Sequence, residues 1–444
     1  MSRGGQREPG FLARARGALL ALRPADPDAG ADATAERDAG VSGMLGQLGA
    51  TLLASSQATS DVQVTLQELA VRYERPELRI FVLPTLVLLE DPSTSPAQMA
   101  FVAADQEPLR LDQAGAVERV VQRAFAQAPE PAEVVAALAE IKAAPPRFGS
   151  ILTVIGYALL TVGFGLVLNP TVTALPVYVV LGVIVGAIVF IGARIPTLSL
   201  LLPVATAFTV TLLISLLVRP LVHDDVLRLV APSLVSFLPG LTLTIAAVEL
   251  TSGQVMAGAS RLVFGLARLG LLAFGVFAGI SVAGEPPAIT TAPAQLGAWA
   301  PWVGLLLVSL GYYLFSSAPS GSLIWIVYAL VVAHSAQLLG NLLVGAELSG
   351  LIGALIVIPA VYLARRLTPA ASTAIMLTCA YWVLVPGSMG FIGLSEAASG
   401  TAGATSTILR TFGSLIAIAI GMLLGGGLSR DATVLAKGWR RPQA

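Results

Sequence analysis

From Phe148 onward the chain is a succession of apolar runs separated by short loops, most of them near the roughly twenty residues a helix needs to cross a bilayer. Inside lipid every backbone N–H and C=O must be satisfied within the segment or a closed barrel, so runs of this length and composition are helices. The expected spans are 148–168, 172–193, 198–218, a broken one within 229–249, and 262–280. A polar gap from 281 to 300 follows, and then 301–315, 323–341, 350–363, a broken 370–392 and 407–428. A mean hydropathy of +0.81, with 55% hydrophobic and 12% charged residues, agrees with a polytopic membrane protein.

Two of these runs carry the same motif. FLPGLTLTIAAVELTSG begins at Phe237 and LVPGSMGFIGLSEAASG begins at Leu384. An offset of 147 superposes Pro239 on Pro386, Gly240 on Gly387, Ile245 on Ile392, Glu249 on Glu396, Ser252 on Ser399 and Gly253 on Gly400. The same offset brings Leu159-Leu160 onto Leu306-Leu307. Proline removes a backbone donor and glycine loosens a helix, so each copy is expected to be a discontinuous helix. A carboxylate in such a run is costly in lipid and points to a substrate or proton pathway, although a kink with an interfacial glutamate is the structural alternative. Two copies in register favour function.

The charges divide the chain. Residues 1–147 hold 14 Lys/Arg against 19 Asp/Glu, and residues 148–444 hold 12 against 7. Residues 1–40 show no sustained apolar period and are expected to form a loosely attached tail, in which 11–22 could lie as a short basic helix on anionic lipid. Residues 41–147 read as a small α/β domain. Helical spacing marks 44–53 and 62–73, with Ser60 and Asp61 placed to cap the second helix. The run 78–89 is rich in β-formers and interrupted by Pro84, so two strands or a bent strand are expected, with 97–103 as a partner. Amphipathic helices follow at 111–128 and 131–143. Cys379 is the single cysteine and His223 and His334 are the only histidines, which argues against a zinc site or a histidine-activated nucleophile before residue 148.

In a ten-span alternation Arg147, Arg194, Arg261, Arg365, Arg366, Arg430, Lys437, Arg440 and Arg441 fall on one side. The positive-inside rule places that side, both termini and the α/β domain in the cytoplasm. The mixed-charge loop around Arg219, His223, Asp224, Asp225 and Arg228 is the exception. Five spans per copy is an odd number, so the second copy enters the membrane from the opposite face. That is the signature of inverted-repeat secondary transporters. Besides Glu249 and Glu396, the acids between 148 and 430 fall in loops or at span ends. His334, Gln337 and Asn341 share one face of the seventh span and could line a polar pathway or bond neighbouring helices. Arg268 and Arg410 could meet a substrate carboxylate, snorkel, or form internal ion pairs. Ser252, Ser399, Thr242 and Thr244 could contact substrate or simply let helices pack closely.

On these residues the chain resembles the threonine/serine exporter family. The resemblance lies in FLPGLTLTIAAVELTSGQVMAGASRL, in LVPGSMGFIGLSEAASG and in QATSDVQVTLQELAVRYERPELRIFVLPTLVLLE, and it extends from about residue 50 to about 430. It implies proton-driven export of small amino acids, threonine and serine foremost; in some relatives the halves are separate proteins, some associated with dicarboxylate export. A hydrolase-like His/Ser/Glu motif suggested for some members does not carry over, because the equivalent stretch here holds only Thr59, Ser60 and Asp61.

The expectation is an α-helical polytopic membrane protein of about ten transmembrane helices arranged as two five-helix inverted repeats, 148–280 and 301–430. A tail (1–40) and a small cytoplasmic α/β domain (41–147) precede them, an extracytoplasmic linker (281–300) separates them, and a cytoplasmic tail (431–444) follows. It would be a secondary exporter in a bacterial inner membrane and not an enzyme. Its partners would be a small amino acid, protons and lipid, with no nucleic acid, no metal and no cofactor, and with room for a homo-oligomer. The expected pathway residues are Pro239, Gly240, Glu249, Ser252, Gly253, His334, Gln337, Asn341, Pro386, Gly387, Glu396, Ser399 and Gly400, with Arg268 and Arg410 behind them. An exporter of small dicarboxylates such as succinate, a membrane-anchored hydrolase and a channel remain as alternatives.

Overall fold

The computed structural model describes residues 40–93, 98–104, 108–192, 196–218, 222, 224–284, 294–368, 372–384, 387–398 and 404–438. The expected lipid-surface helix at 11–22 lies outside the described residues, as do Arg219, His223, Glu285, Pro386, Ser399 and Gly400.

Helices α1 (Val41–Ala54) and α2 (Thr59–Arg72) precede three strands, β1 (Arg79–Leu83), β2 (Leu86–Asp91) and β3 (Gln98–Ala103). The run around Pro84 is a hairpin. Leu83 pairs with Leu86, so Pro84 and Thr85 form the loop, where a missing N–H costs no ladder bond. The sheet is antiparallel in the order β1-β2-β3. Period-2 alternation turns Ile80, Val82, Val87 and Leu89 inward, where they meet Met44, Leu45 and Leu48 of α1 and Leu66 and Leu69 of α2. Helices α3 (Leu111–Gln127) and α4 (Pro131–Ala143) complete this layer; Val117, Val134 and Leu138 enter the same core.

The apolar part comprises α5 (Ser150–Leu168), α6 (Leu175–Gly192), α7 (Pro196–Leu213) with a π-helical extension over Ile214–Val218, α8 (Val226–Ser233), α9 (Gly240–Thr251) and α10 (Val255–Ala283). Then come α11 (Ala300–Phe315), α12 (Leu323–Val344), α13 (Ser349–Leu367), α14 (Thr373–Leu384), α15 (Gly387–Ala398) and α16 (Ala404–Gly438). Among the described residues seven helices are long and apolar enough to cross a membrane, or eight when the bent pair formed by α8 and the segment ending in α9 counts as one. That pair turns through 68°. Helices α11 and α14 are too short to qualify alone. The polar gap after α10 is tied back to the turn between α5 and α6, with Thr171 bridged to Gln295 and Leu296 N–H donating to Pro170 O at 2.7 Å.

Helices α5 and α11 pack closely with backbone in contact. A Cβ at Gly163 would lie 2.7 Å from Gly304 O and one at Gly304 2.7 Å from Gly163 O; Gly156 and Gly311 face each other in the same reciprocal way. Elsewhere in the bundle α9 packs on α10 and α15 on α16, while α9 also touches α16 and α15 also touches α10. Helix α7 packs on α10 as α13 packs on α16.

Residues 41–147 sit on one end of this bundle. Leu111 N–H donates to Ser316 O at 3.1 Å, and Arg147 Nη1 donates to Ala318 O at 3.1 Å and to the Tyr313 hydroxyl at 2.8 Å.

The α5–α11 contact sets a stability prediction. Gly163→Ala would drive Cβ to 2.6 Å from Val308 N, a backbone atom that cannot rotate away, at an expected cost of about 1–3 kcal/mol. Gly270→Ala, where a Cβ meets nothing within 4 Å, should be neutral or stabilising. Thermal midpoints of the purified chain in detergent check both.

Candidate functional site

The break that the Pro-Gly pair encodes lies between Phe237 and Gly240. A 3-10 turn (Val235–Phe237) ends there, and Pro239 sits at the N-terminus of α9 with φ −79° and ψ 36°. Nine residues on, near the far end of α9, comes Glu249. At about 1.5 Å per residue the carboxylate is more than 13 Å along the axis from the break, so Glu249 stands apart from the buried start of α9 rather than beside it. Past Glu249 the helix stops sharply. Gly253 adopts φ +85°, open only to residues tolerant of the left-handed region, and the Glu249 carbonyl accepts from Gln254 N–H at 2.8 Å and from the Ser252 hydroxyl at 3.1 Å. The turn redirects the chain into α10, and two turns along α10 Arg261 comes back alongside Glu249.

Glu249 is fully buried. Its Oε1 accepts from the Thr59 backbone N–H and from the Thr59 hydroxyl, both at 2.9 Å. Its Oε2 lies 3.2 Å from Arg261 Nε, an ion pair by distance although that N–H is not directed at the oxygen. Arg261 also reaches the Gln57 carbonyl at 3.4 Å. The expectation that Ser60 and Asp61 cap α2 is therefore corrected. The helix begins at Thr59, its N-cap position is Ala58 with no capping side chain, and the acceptor is a carboxylate 190 residues away. A helix N-terminus with unsatisfied donors and partial positive charge is a natural seat for an anion.

A second carboxylate makes the reverse connection. Glu118 of α3 accepts from the Ser372 hydroxyl at 2.5 Å, faces the N–H groups of Thr373 and Ala374 at 3.4 and 3.5 Å, and lies 3.9 Å from Arg365. Thus each layer supplies a carboxylate to the first turn of a helix in the other.

Glu396 lies elsewhere. It is half-buried near the end of α15 and accepts from the Thr407 hydroxyl at 3.3 Å. One turn beyond Thr407, Arg410 pairs with Glu347 at 3.2 Å, with both side chains well exposed. Glu347 precedes α13 and Arg365 is near its end, so about 27 Å of helix separates this pair from the Glu118 contact. Glu249 and Glu396 therefore lie towards opposite ends of the bundle.

The remaining expected residues do not join either carboxylate into one cluster. His334 stands edge-on to Trp302 at 5.1 Å, Gln337 lies against Gly353, and Asn341 is exposed. Arg268 is half-buried two turns beyond Arg261. Gly387 starts α15, and Pro386, Ser399 and Gly400 lie outside the described residues. Besides Thr59, Arg261 and Glu118, the sequence reading missed Asp224 as a buried group. It is 4% exposed; Oδ2 accepts from Asn169 Nδ2 and Thr171 Oγ1, both at 2.9 Å, and Oδ1 from Asp225 N–H at 2.8 Å. Asp225 then caps α8 through Leu227 N–H at 2.8 Å.

Residues 44–283 match the sequence model of the ThrE family, described as "Putative threonine/serine exporter". The chain belongs to the threonine/serine exporter family. With the apolar helices this makes it a multi-pass membrane protein. No curated protein and no solved structure matches it significantly.

Removing one partner of a buried, hydrogen-bonded ion pair is strongly destabilising, by about 3–5 kcal/mol. Glu249→Ala should therefore lower the thermal midpoint far more than Glu396→Ala, which deletes one long, half-exposed bond. Leu at both 249 and 261 should recover part of the loss, because neither charge is then left buried alone.

Proposed function

We propose that the chain is a secondary exporter of threonine and serine driven by the proton-motive force, with Glu249 as the coupling carboxylate on the cytoplasmic side and Glu396 as its counterpart on the opposite side. The observation that carries the reading is the fully buried Glu249 held between Arg261 and Thr59 in a chain of this family. A carboxylate withdrawn from water and placed against a cation can exchange a proton as its partners move.

The reading includes ten spans in two inverted five-helix repeats. Its support is the reciprocal packing of α5 against α11 and the exchange of partners between the α9–α10 and α15–α16 hairpins, which is what a two-fold axis in the membrane plane would produce. The glycine pairs Gly156/Gly163 and Gly304/Gly311 correspond with an offset of 148, one more than the Pro-Gly…Glu motifs. That favours Leu159-Leu160 matching Leu307-Val308 rather than Leu306-Leu307. Helices α8 with α9 and α14 with α15 would each be one broken span. A cytoplasmic place for residues 41–147 is supported by the basic residues Arg147, Arg261 and Arg365, which meet that layer or its junction with the bundle. In a bacterium the protein would then reside in the inner membrane with both termini inside. The break at Pro239–Gly240, a helix length from Glu249, would offer free backbone groups to the zwitterionic substrate while the carboxylate handles the proton.

Efflux of preloaded threonine, serine and succinate from cells, with and without a proton uncoupler, tests this. Threonine or serine efflux should fall roughly 5–150-fold, the span of a 1–3 kcal/mol coupling, with uncoupler and with Glu249→Gln or Glu396→Gln. Succinate efflux in place of amino-acid efflux would instead identify a dicarboxylate exporter, and unchanged efflux in both variants would remove the coupling role from the two glutamates.

A further inference from the structure

The export reading takes Thr59 only as a neighbour of Glu249 and gives it no role, yet Thr59 makes the closest bonds to that carboxylate. We propose that Thr59 is a positioning residue of the Glu249 site, so that the transport site formed by the membrane helices is completed by the first turn of α2 from the N-terminal layer. The inference rests on the reading of Glu249 as the coupling carboxylate and adds to it a second component from outside the membrane helices.

Both groups need each other locally. The first turn of α2 has no capping side chain of its own, because Ala58 occupies the N-cap position. Glu249 has no exposure to water, and both its direct hydrogen bonds come from Thr59, one from the backbone and one from the hydroxyl, converging on a single oxygen at 2.9 Å. Arg261 then stands at the other oxygen and touches Gln57 in the connection before α2. Hydrogen bonds to the charged form of a carboxylate favour that form, and the positive end of a helix does the same. Each donor withdrawn removes part of what holds the buried carboxylate in place, and loss of its charge in turn loosens its hold on α2. Among the described residues the charged and titratable groups near this corner include Arg261 from α10, Asp61 of α2 and Tyr381 of α14. Arg410 of α16 is held at the other end of the bundle by Glu347.

Thr59 occupies the first helical position, which permits a clean deletion. Proline is well accepted there, and the residue before it must be extended, which Ala58 already is at φ −69° and ψ 144°. Thr59→Pro therefore removes both donors while leaving the start of α2 intact. Thr59→Val removes the hydroxyl alone, and Thr59→Ser keeps both.

The experiment measures the pH profile of threonine efflux from proteoliposomes holding the full chain. Thr59→Pro should shift the pH profile, Thr59→Val should shift it less, and Thr59→Ser should overlay the parent. A merely structural role would lower the rate and leave the profile in place, and that result would overturn the proposal. If the proline variant is not recovered in the membrane, Thr59→Val against Thr59→Ser decides in the same way. Glu249→Gln run alongside separates the two failures. If it keeps the parent rate and profile, the coupling reading is wrong; if it abolishes the pH dependence while the Thr59 variants do not shift it, only the positioning inference falls.

Discussion

The arrangement depends on one buried charge. Glu249 has left water entirely, and an unpaired carboxylate in that position would cost several kcal/mol. What offsets this comes from two directions, a guanidinium on the neighbouring helix and the open N-terminus of a helix in another layer. The same contacts seat α2 on the bundle and set the α9–α10 turn, because the Glu249 carbonyl is also the acceptor that closes that turn. Apolar helices, turn and N-terminal layer thus share a single residue. Glu118 repeats the device in the other direction at Ser372, which gives the junction two charge-assisted anchors beside Arg147 and Leu111.

The bundle behind this junction is organised by close backbone contact rather than by bulk. In lipid, apolar side chains gain little by leaving hydrocarbon for one another, so small residues that let helices approach take over the role. The four glycines between α5 and α11 do this. The hairpins α9–α10 and α15–α16 contact each other's helices, and their glutamates end towards opposite ends of the protein. Asp224 shows how a buried acid is held when it is structural. Among the described residues it is met by two side-chain donors and a backbone N–H. Glu249, with an arginine beside it and a contact that crosses between layers, is built differently.

Much of this was legible in the sequence because hydropathy and period are local. The long spans, the hairpin at Pro84-Thr85, its third strand and the helices at 111–127 and 131–143 follow from patterns a few residues wide. The break at Pro239-Gly240 was legible for the same reason, since proline and glycine act on their own backbone. What stayed hidden needed partners far apart in the chain. The Thr59–Glu249 bond joins residues 190 apart, and nothing in either neighbourhood names the other. Ser60 and Asp61 looked like caps because their chemistry fits, but the helix starts at Thr59 and its acceptor arrives from the bundle. Arg261 was counted as a loop charge that orients the spans, whereas it lies within α10 beside Glu249. The spacing of Glu249 from Gly240, nine residues of helix, is set by the sequence itself, whereas the neighbours of His334, Gln337 and Asn341 come from other helices and could not be read there.

The most direct measurement is residue-level hydrogen exchange at the amides of α2 in the full-length protein, comparing the parent with Glu249→Gln. Because the Thr59 N–H bonds to the Glu249 carboxylate itself, loss of the charge should speed exchange across the first turn of α2 while the Thr373 and Ala374 amides near Glu118 keep their protection. Equal protection at Thr59 in the two proteins would contradict the idea that the membrane carboxylate holds the N-terminal layer.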